Sequence, residues 1–427
     1  MSELSSETKW SSLEKIGFRF ISIYFLLIVL FQNNGAFPFW YKIFKIPQGW
    51  LNKLIPWMGA NVYGVPYEIS IKLTGSGDTT FDYLVILTAF LVAIITAILW
   101  SILDRKRNNY IKLYYWLTLA VRYYVGLMLI SYGLVKVIQL QFSYPGPYRL
   151  ISSYGESSPM GLAWTFLGFS KGYNLFMGIA ELLAGLLLFR RTMTFGALVT
   201  LMTAMNIMAV NYFYDIPVKI LSTHLVVMTL FLLSRDIKRL TIFFFKGVST
   251  KLEVIKRPEF KKGINIAMNV FKGLLIGYVF IYGFINAIEA EKQYGSKAPK
   301  PDLYGVYEVT NFVINGDTIT NYKNEKLWKS IAIQREGSMQ IRKFDNSKEY
   351  FGIEKDSLVA DKFKVTSWSD DSKSYDFNYK KVDSTGLDFD FIFERDTIYG
   401  ASKRLDKKDF LLTKRGFHWI SEYPYNR

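Results

Sequence analysis

Residues Phe81–Leu103 read Phe-Asp-Tyr-Leu-Val-Ile-Leu-Thr-Ala-Phe-Leu-Val-Ala-Ile-Ile-Thr-Ala-Ile-Leu-Trp-Ser-Ile-Leu, with Asp82 as the single charge. At about 1.5 Å per helical residue, such a run crosses the roughly 30 Å hydrocarbon core of a bilayer. It predicts a membrane-spanning helix. Six further apolar segments support the same reading: Ile16–Phe31, Leu113–Leu140, Tyr173–Phe189, Thr192–Asn211, Lys219–Leu233 and Ile266–Ile288. The first of these also has the look of a signal peptide, with Arg19 ahead of a short apolar core, but Gln32-Asn33-Asn34-Gly35-Ala36 lacks a small-x-small cleavage site.

Charge divides the chain. Of its 427 residues, 52 are Lys or Arg and 36 are Asp or Glu, a net charge of +16. From Pro301 to Arg427 the counts are 21 and 21, so the whole excess lies in the apolar first part, at 31 basic to 15 acidic. A nucleic-acid binder would gather its basic residues on a soluble face, and these lie beside membrane segments instead. There is no cysteine, and His224 and His418 are the only histidines. Disulfides and thiolate chemistry are therefore excluded, and a multi-imidazole metal site is not expected.

Cytoplasmic connections carry the excess of Lys and Arg. With the N-terminus inside, the inner connections hold 18 basic residues and the outer ones seven. Seven spans then place the tail outside the cytoplasmic membrane. The outer loop 32–80 is rich in aromatics and proline (Phe37-Pro38-Phe39-Trp40, Pro56-Trp57), and the loop 141–172 in turn residues (Tyr144-Pro145-Gly146-Pro147-Tyr148). Together they are suited either to roofing an outward cavity or to capping the bundle.

The tail alternates with a period of two, as in Leu387, Phe389, Phe391 and Phe393, the pattern of half-buried antiparallel strands. About eight such runs fit between Tyr304 and Ile420. The expected fold is a polytopic α-helical membrane bundle of about seven spans, N-terminus in and C-terminus out, over residues 1–288. A linker follows at 289–301, and an all-β extracytoplasmic barrel or sandwich at 302–427. Its opening Leu-Tyr-Gly-Val-Tyr-Glu-Val resembles the first strand of lipocalin-like domains. A barrel of this size either holds one ligand or is filled by its own side chains.

Ionisable groups inside spans are costly, so each is a candidate for function. Arg122 and Lys136 share one face of the third span, Glu181 lies on the fourth, Asn206 and Asn211 on the fifth, and Asp215, Lys219 and His224 around the sixth. These eight are the candidate ligand-binding residues, and Glu181, Lys136 and His224 the candidates for proton transfer and oxyanion binding. The alternative is a purely structural bridge from Glu181 to Lys136 or Arg122.

Tyr132-Gly133-Leu134-Val135-Lys136, then Gly178-Ile179-Ala180-Glu181-Leu182-Leu183-Ala184-Gly185, then Arg190-Arg191-Thr192 and Gly196 resemble the DoxX-like integral membrane family over about residues 115–240. The resemblance implies a four-helix inner-membrane core, with some relatives serving quinone-linked sulfur oxidoreductases. This chain departs from that pattern in its extra spans, its outer domain and its lack of cysteine. The expectation is a protein that binds a lipophilic ligand or a membrane or periplasmic partner and presents a periplasmic β-domain as an assembly or accessory subunit. No cofactor is identifiable; a quinone is one candidate, and another lipophilic molecule the alternative. An oxidoreductase subunit and a transporter are the rival readings; the expected partners are lipids, a lipophilic small molecule and protein, not nucleic acid.

Overall fold

The structure is a computed structural model and describes residues 9–426 except 256, 259, 357, 358, 360, 371 and 394. It comprises two compact units. One takes in residues up to Phe142 together with Ser170–Glu291, and the other joins Ser143–Phe169 to Lys292–Arg427.

In the first unit every expected apolar segment is helical. Among the described residues five helices are long and apolar enough to cross a membrane: Thr80–Leu103, Ile111–Val137, Lys171–Leu188, Met193–Phe213 and Lys262–Tyr294. The segment Lys219–Ser234 has only 16 residues and passes the same test only together with Ile237–Lys246, from which it is bent by 80°. Ser12–Phe31 starts in a capping box: the Ser11 hydroxyl accepts from the Glu14 amide and the Glu14 carboxylate from the Ser11 amide. This helix buries Phe18, Phe25, Ile28 and Val29 in the bundle core but, carrying Glu14, Lys15 and Arg19, is not among those that pass the test, so five helices, or six with the bent pair, stand where seven spans were expected. Its Arg19, which the sequence marks only as a flanking cation, is buried. Arg19 donates to the Tyr110 hydroxyl at 2.9 and 2.7 Å and to Ser101 Oγ at 2.7 Å, while Tyr110 donates to Asp104 at 2.9 Å.

The crossing of the 111–137 and 171–188 helices is set by two glycines. A Cβ on Gly133 would stand 2.8 Å from the Gly178 carbonyl oxygen, and one on Gly178 would stand 2.8 Å from that of Gly133. Only hydrogen fits there, so the backbones touch.

The loop 32–80 contains a helix, Lys45–Asn61, despite Pro47, Gly49 and Pro56. Pro47 stands in the first turn, where no amide partner is lost. Ile55 and Gly59, one turn apart, are its buried residues, while Trp50 and Trp57 are exposed.

In the second unit, strands β1 (Gly305–Ile314), β2 (Asp317–Thr318), β3 (Trp328–Arg335), β4 (Ser338–Lys343), β5 (Lys348–Lys355), β6 (Lys362–Ser367), β7 (Ser374–Lys381), β8 (Gly386–Phe393) and β9 (Asp396–Leu405) pair antiparallel. Pairing of β1 with both β3 and β9 closes an eight-stranded barrel, with the two-residue β2 beside β1. Alternation decides which side faces in: Leu387, Phe389 and Phe391 are buried while Asp390 points out. The interior is packed with aromatic rings, Trp328 stacking on Phe391 at 4.9 Å and on Phe389 at 5.6 Å. The strands end at Leu405, short of the expected Ile420, and Trp419 is 91% exposed. The polar linker is also shorter than 289–301, because the helix before it runs to Tyr294.

The loop 141–172 departs most from expectation. Its residues 143–169 belong to the β unit and cover the outer face of β3–β5. The Tyr148 amide donates to Gln334 Oε1 at 3.1 Å, and its hydroxyl donates to the Ser338 carbonyl at 3.0 Å. Arg342, 3% exposed, donates to the Ile151 carbonyl and, at 2.6 Å each, to Ser153 Oγ and Glu156 Oε1.

Candidate functional site

The eight candidate residues fall into separate arrangements rather than one pocket. Lys136 Nζ lies 2.7 Å from Glu181 Oε1 and 2.8 Å from Oε2, with both side chains buried. Arg122 does not join them: its Nε donates to the Leu187 carbonyl at 2.6 Å, at the end of the 310 turn Leu183–Leu188, where a cation meets the negative end of a helix.

His224 turns toward the first helix. Its Nδ1 lies 2.7 Å from the Ile220 carbonyl and its Nε2 lies 2.8 Å from the Tyr24 hydroxyl. A carbonyl can only accept, so Nδ1 carries the proton and Nε2 of the neutral ring accepts from tyrosine. Lys219 pairs with Asp215 at 2.8 Å, as their spacing suggests. Asn211 donates to the Val218 carbonyl at 3.3 Å, and Asn206 is exposed on the outside of its helix.

Asp78, which the sequence does not mark, organises the same turn. Its two oxygens accept the amides of Lys219 at 2.7 Å and Ile220 at 3.0 Å. It thereby caps a helix whose own N-cap, Val218, has no side-chain acceptor.

A concavity of about 950 Å³ in this unit is lined by none of the eight. It opens among residues 31–85, and its apolar wall includes Phe31, Phe37, Trp40, Phe44, Leu51 and Val85. Trp40 stacks on Phe44 at 4.1 Å and is fixed by donation from Nε1 to the Leu30 carbonyl at 3.0 Å. Asn33 ties the turn beneath it, accepting the Phe37 amide at 2.9 Å. Gln32, Gln48 and Asn52 add amides, and Lys45 and Lys72 add exposed cations. The single carboxylate in the lining, Asp82, is engaged by the Thr79 amide and hydroxyl at 3.0 and 2.6 Å.

A mostly apolar pocket with a few convergent polar groups is what small-molecule sites have in common. This one suits a lipophilic body with a polar or anionic head. Among the described residues no group of three His, Cys, Asp or Glu side chains is placed to hold a metal ion.

In class, the chain is a bundle of helices long and apolar enough to cross a membrane, joined to a closed antiparallel β-barrel. Over 137 residues, 32% of this chain and 87% of the other, it is 37% identical to the uncharacterized protein YwoB of Bacillus subtilis (strain 168), and it belongs to that protein's family. No family model and no solved structure matches it.

Proposed function

We propose that the chain is a multi-pass protein of the cytoplasmic membrane that binds a lipophilic molecule with a polar or anionic head in the cavity among residues 31–85, and presents its β-barrel outside. The observation that carries this reading is the 950 Å³ cavity itself, with an aromatic wall and two exposed cations, Lys45 and Lys72, in its lining. The barrel interior is filled by its own rings, which favours the bundle as the place where a ligand is held. Orientation follows from the 18 basic residues in one set of connections against seven in the other. A quinone is one molecule of suitable chemistry, and the resemblance to DoxX-like proteins accords with such a role.

Independent catalysis by Lys136, Glu181 and His224 is the weaker reading, because the first two saturate each other and His224 is engaged by Tyr24. Native mass spectrometry of the full chain in mild detergent tests the proposal. A bound lipophilic molecule is expected on the wild type and its loss on the Trp40→Ala, Phe44→Ala variant with unchanged helicity. Equal occupancy in both would overturn the site. The chain lacks cysteine, so single cysteines at Ser372 and Lys251 read the orientation. An impermeant maleimide should reach the first in intact spheroplasts and the second only after lysis.

A further inference from the structure

We infer that the helix Ile237–Lys246 lies in the plane of the membrane surface and attaches the bundle to anionic phospholipid on the side of the basic connections. The inference rests on the reading of the bundle as membrane-embedded.

The turn that sends this helix sideways is built, not loose. Asp236, fully buried at the corner, accepts from Thr194 Oγ1 at 2.7 Å through one carboxylate oxygen and from Arg239 Nη1 at 3.0 Å through the other. Its amide donates to the Leu233 carbonyl and its carbonyl accepts from the Leu240 amide, both at 2.9 Å. The 80° bend is thereby held from both sides.

None of the ten residues of the helix is buried. Ile237 and Phe244, two turns apart on one helical face, and Phe243 and Phe245 beside them are each more than half exposed, while Leu240 between them rests on the bundle core and ties the helix to it. At about 15 Å the helix is half the length needed to cross a bilayer. An apolar face of this size left in water would be an aggregation site, whereas the boundary of headgroups and acyl chains accommodates it.

Charge names the lipid. From Arg235 to Lys262 there are nine basic and three acidic residues. Of the acids, Asp236 is consumed by the corner, and Glu253 lies 3.4 Å from Arg239. Lys238 and Lys246 are exposed on the helix, placed for phosphate headgroups at the depth where the phenylalanine side chains enter the leaflet.

The test places a fluorophore on the full chain at Phe244→Cys or, as a control on the flank of the 80–103 helix, at Ile98→Cys, in nanodiscs of phosphatidylcholine with or without phosphatidylglycerol. In anionic discs the label at 244 should be quenched by nitroxides near the headgroup and protected from iodide. Lys238→Gln with Lys246→Gln should weaken that protection several-fold. The label at 98 should respond to nitroxides deep in the acyl chains whatever the lipid. Iodide reaching 244 equally in both discs, or quenching of 244 chiefly by deep nitroxides as in a re-entrant segment, would overturn the inference while the result at 98 upholds the embedded bundle. Failure of deep quenching at 98 would overturn both.

Discussion

Lys136 and Glu181 each follow a helix-crossing glycine by three residues, Gly133 and Gly178, and the lysine ammonium bridges both carboxylate oxygens at 2.7 and 2.8 Å. The glycines let the backbones touch, and that approach brings two costly charges into contact. In an apolar bundle an unpaired ion costs several kcal/mol, so the pair fixes which faces of the two helices meet.

Single and double substitutions separate the pair from its parts. Glu181→Gln or Lys136→Met leaves one buried charge unmatched and should cost about 3–5 kcal/mol each, whereas the double variant should lose much less than their sum. Thermal melts of the full chain in detergent measure this. Additive losses would show that the bridge carries no coupling.

Asp78 acts as a cap supplied from the loop ahead of the 80–103 helix. Asp78→Ala strips the acceptors from the Lys219 and Ile220 amides and should lower stability by about 0.5–2 kcal/mol, the range for lost N-caps. Asp78→Asn keeps an acceptor and should lose less. The difference between the two melts isolates the hydrogen bonds from the charge that Asp78 offers Lys219 at 3.9 Å.

The segment 143–169 should be held less firmly to the barrel in acid. Glu156 is held at about 2, first by the hydrogen bond from Lys348, then by that from Ser153 and by the positive charges of Arg342 and Lys348. A carboxyl lowered from 4.5 to about 2 on folding stabilises fully above pH 4.5, progressively less as pH falls toward 2, and not at all below that. Hydrogen exchange of the 147–156 amides should therefore accelerate through this window. In Glu156→Gln that step should vanish and exchange at neutral pH should already be faster.

The parts legible in the sequence are those fixed by local pattern. Phe81–Leu103 needs only its own apolarity, and the barrel strands need only the alternation of Leu387, Phe389 and Phe391 with acidic neighbours. Lys136–Glu181 is legible because two charges in apolar helices have few other places to go. The cavity is hidden because one of its walls is the helix 45–61, where Pro47, Gly49 and Pro56 read as loop punctuation. The attachment of 143–169 is hidden for another reason. Arg342 meets Glu156 across 186 residues of chain, and neither residue carries a local sign of the other. His224 sits beside Tyr24 across 200 residues, so proximity along the sequence to Lys219 and Asp215 was misleading.

Whether the barrel has room to spare can be tested at Gly400, which pairs directly with Phe389 across β8 and β9. The phenylalanine ring lies over the glycine so closely that a Cβ there would stand 2.1 Å from Phe389 Cζ. Gly400→Ala must push the ring into Trp328 and Phe377, whose centroids are 5.6 and 5.4 Å away. In a filled interior such overpacking costs about 1–3 kcal/mol. Phe389→Leu alone should destabilise by loss of ring contacts, yet restore part of the stability when added to Gly400→Ala, and Trp328 fluorescence should follow the same order. A barrel built around a ligand cavity would let the ring swing aside. Gly400→Ala would then melt like the wild type, and the lipophilic molecule would have to be sought in the barrel as well as among residues 31–85.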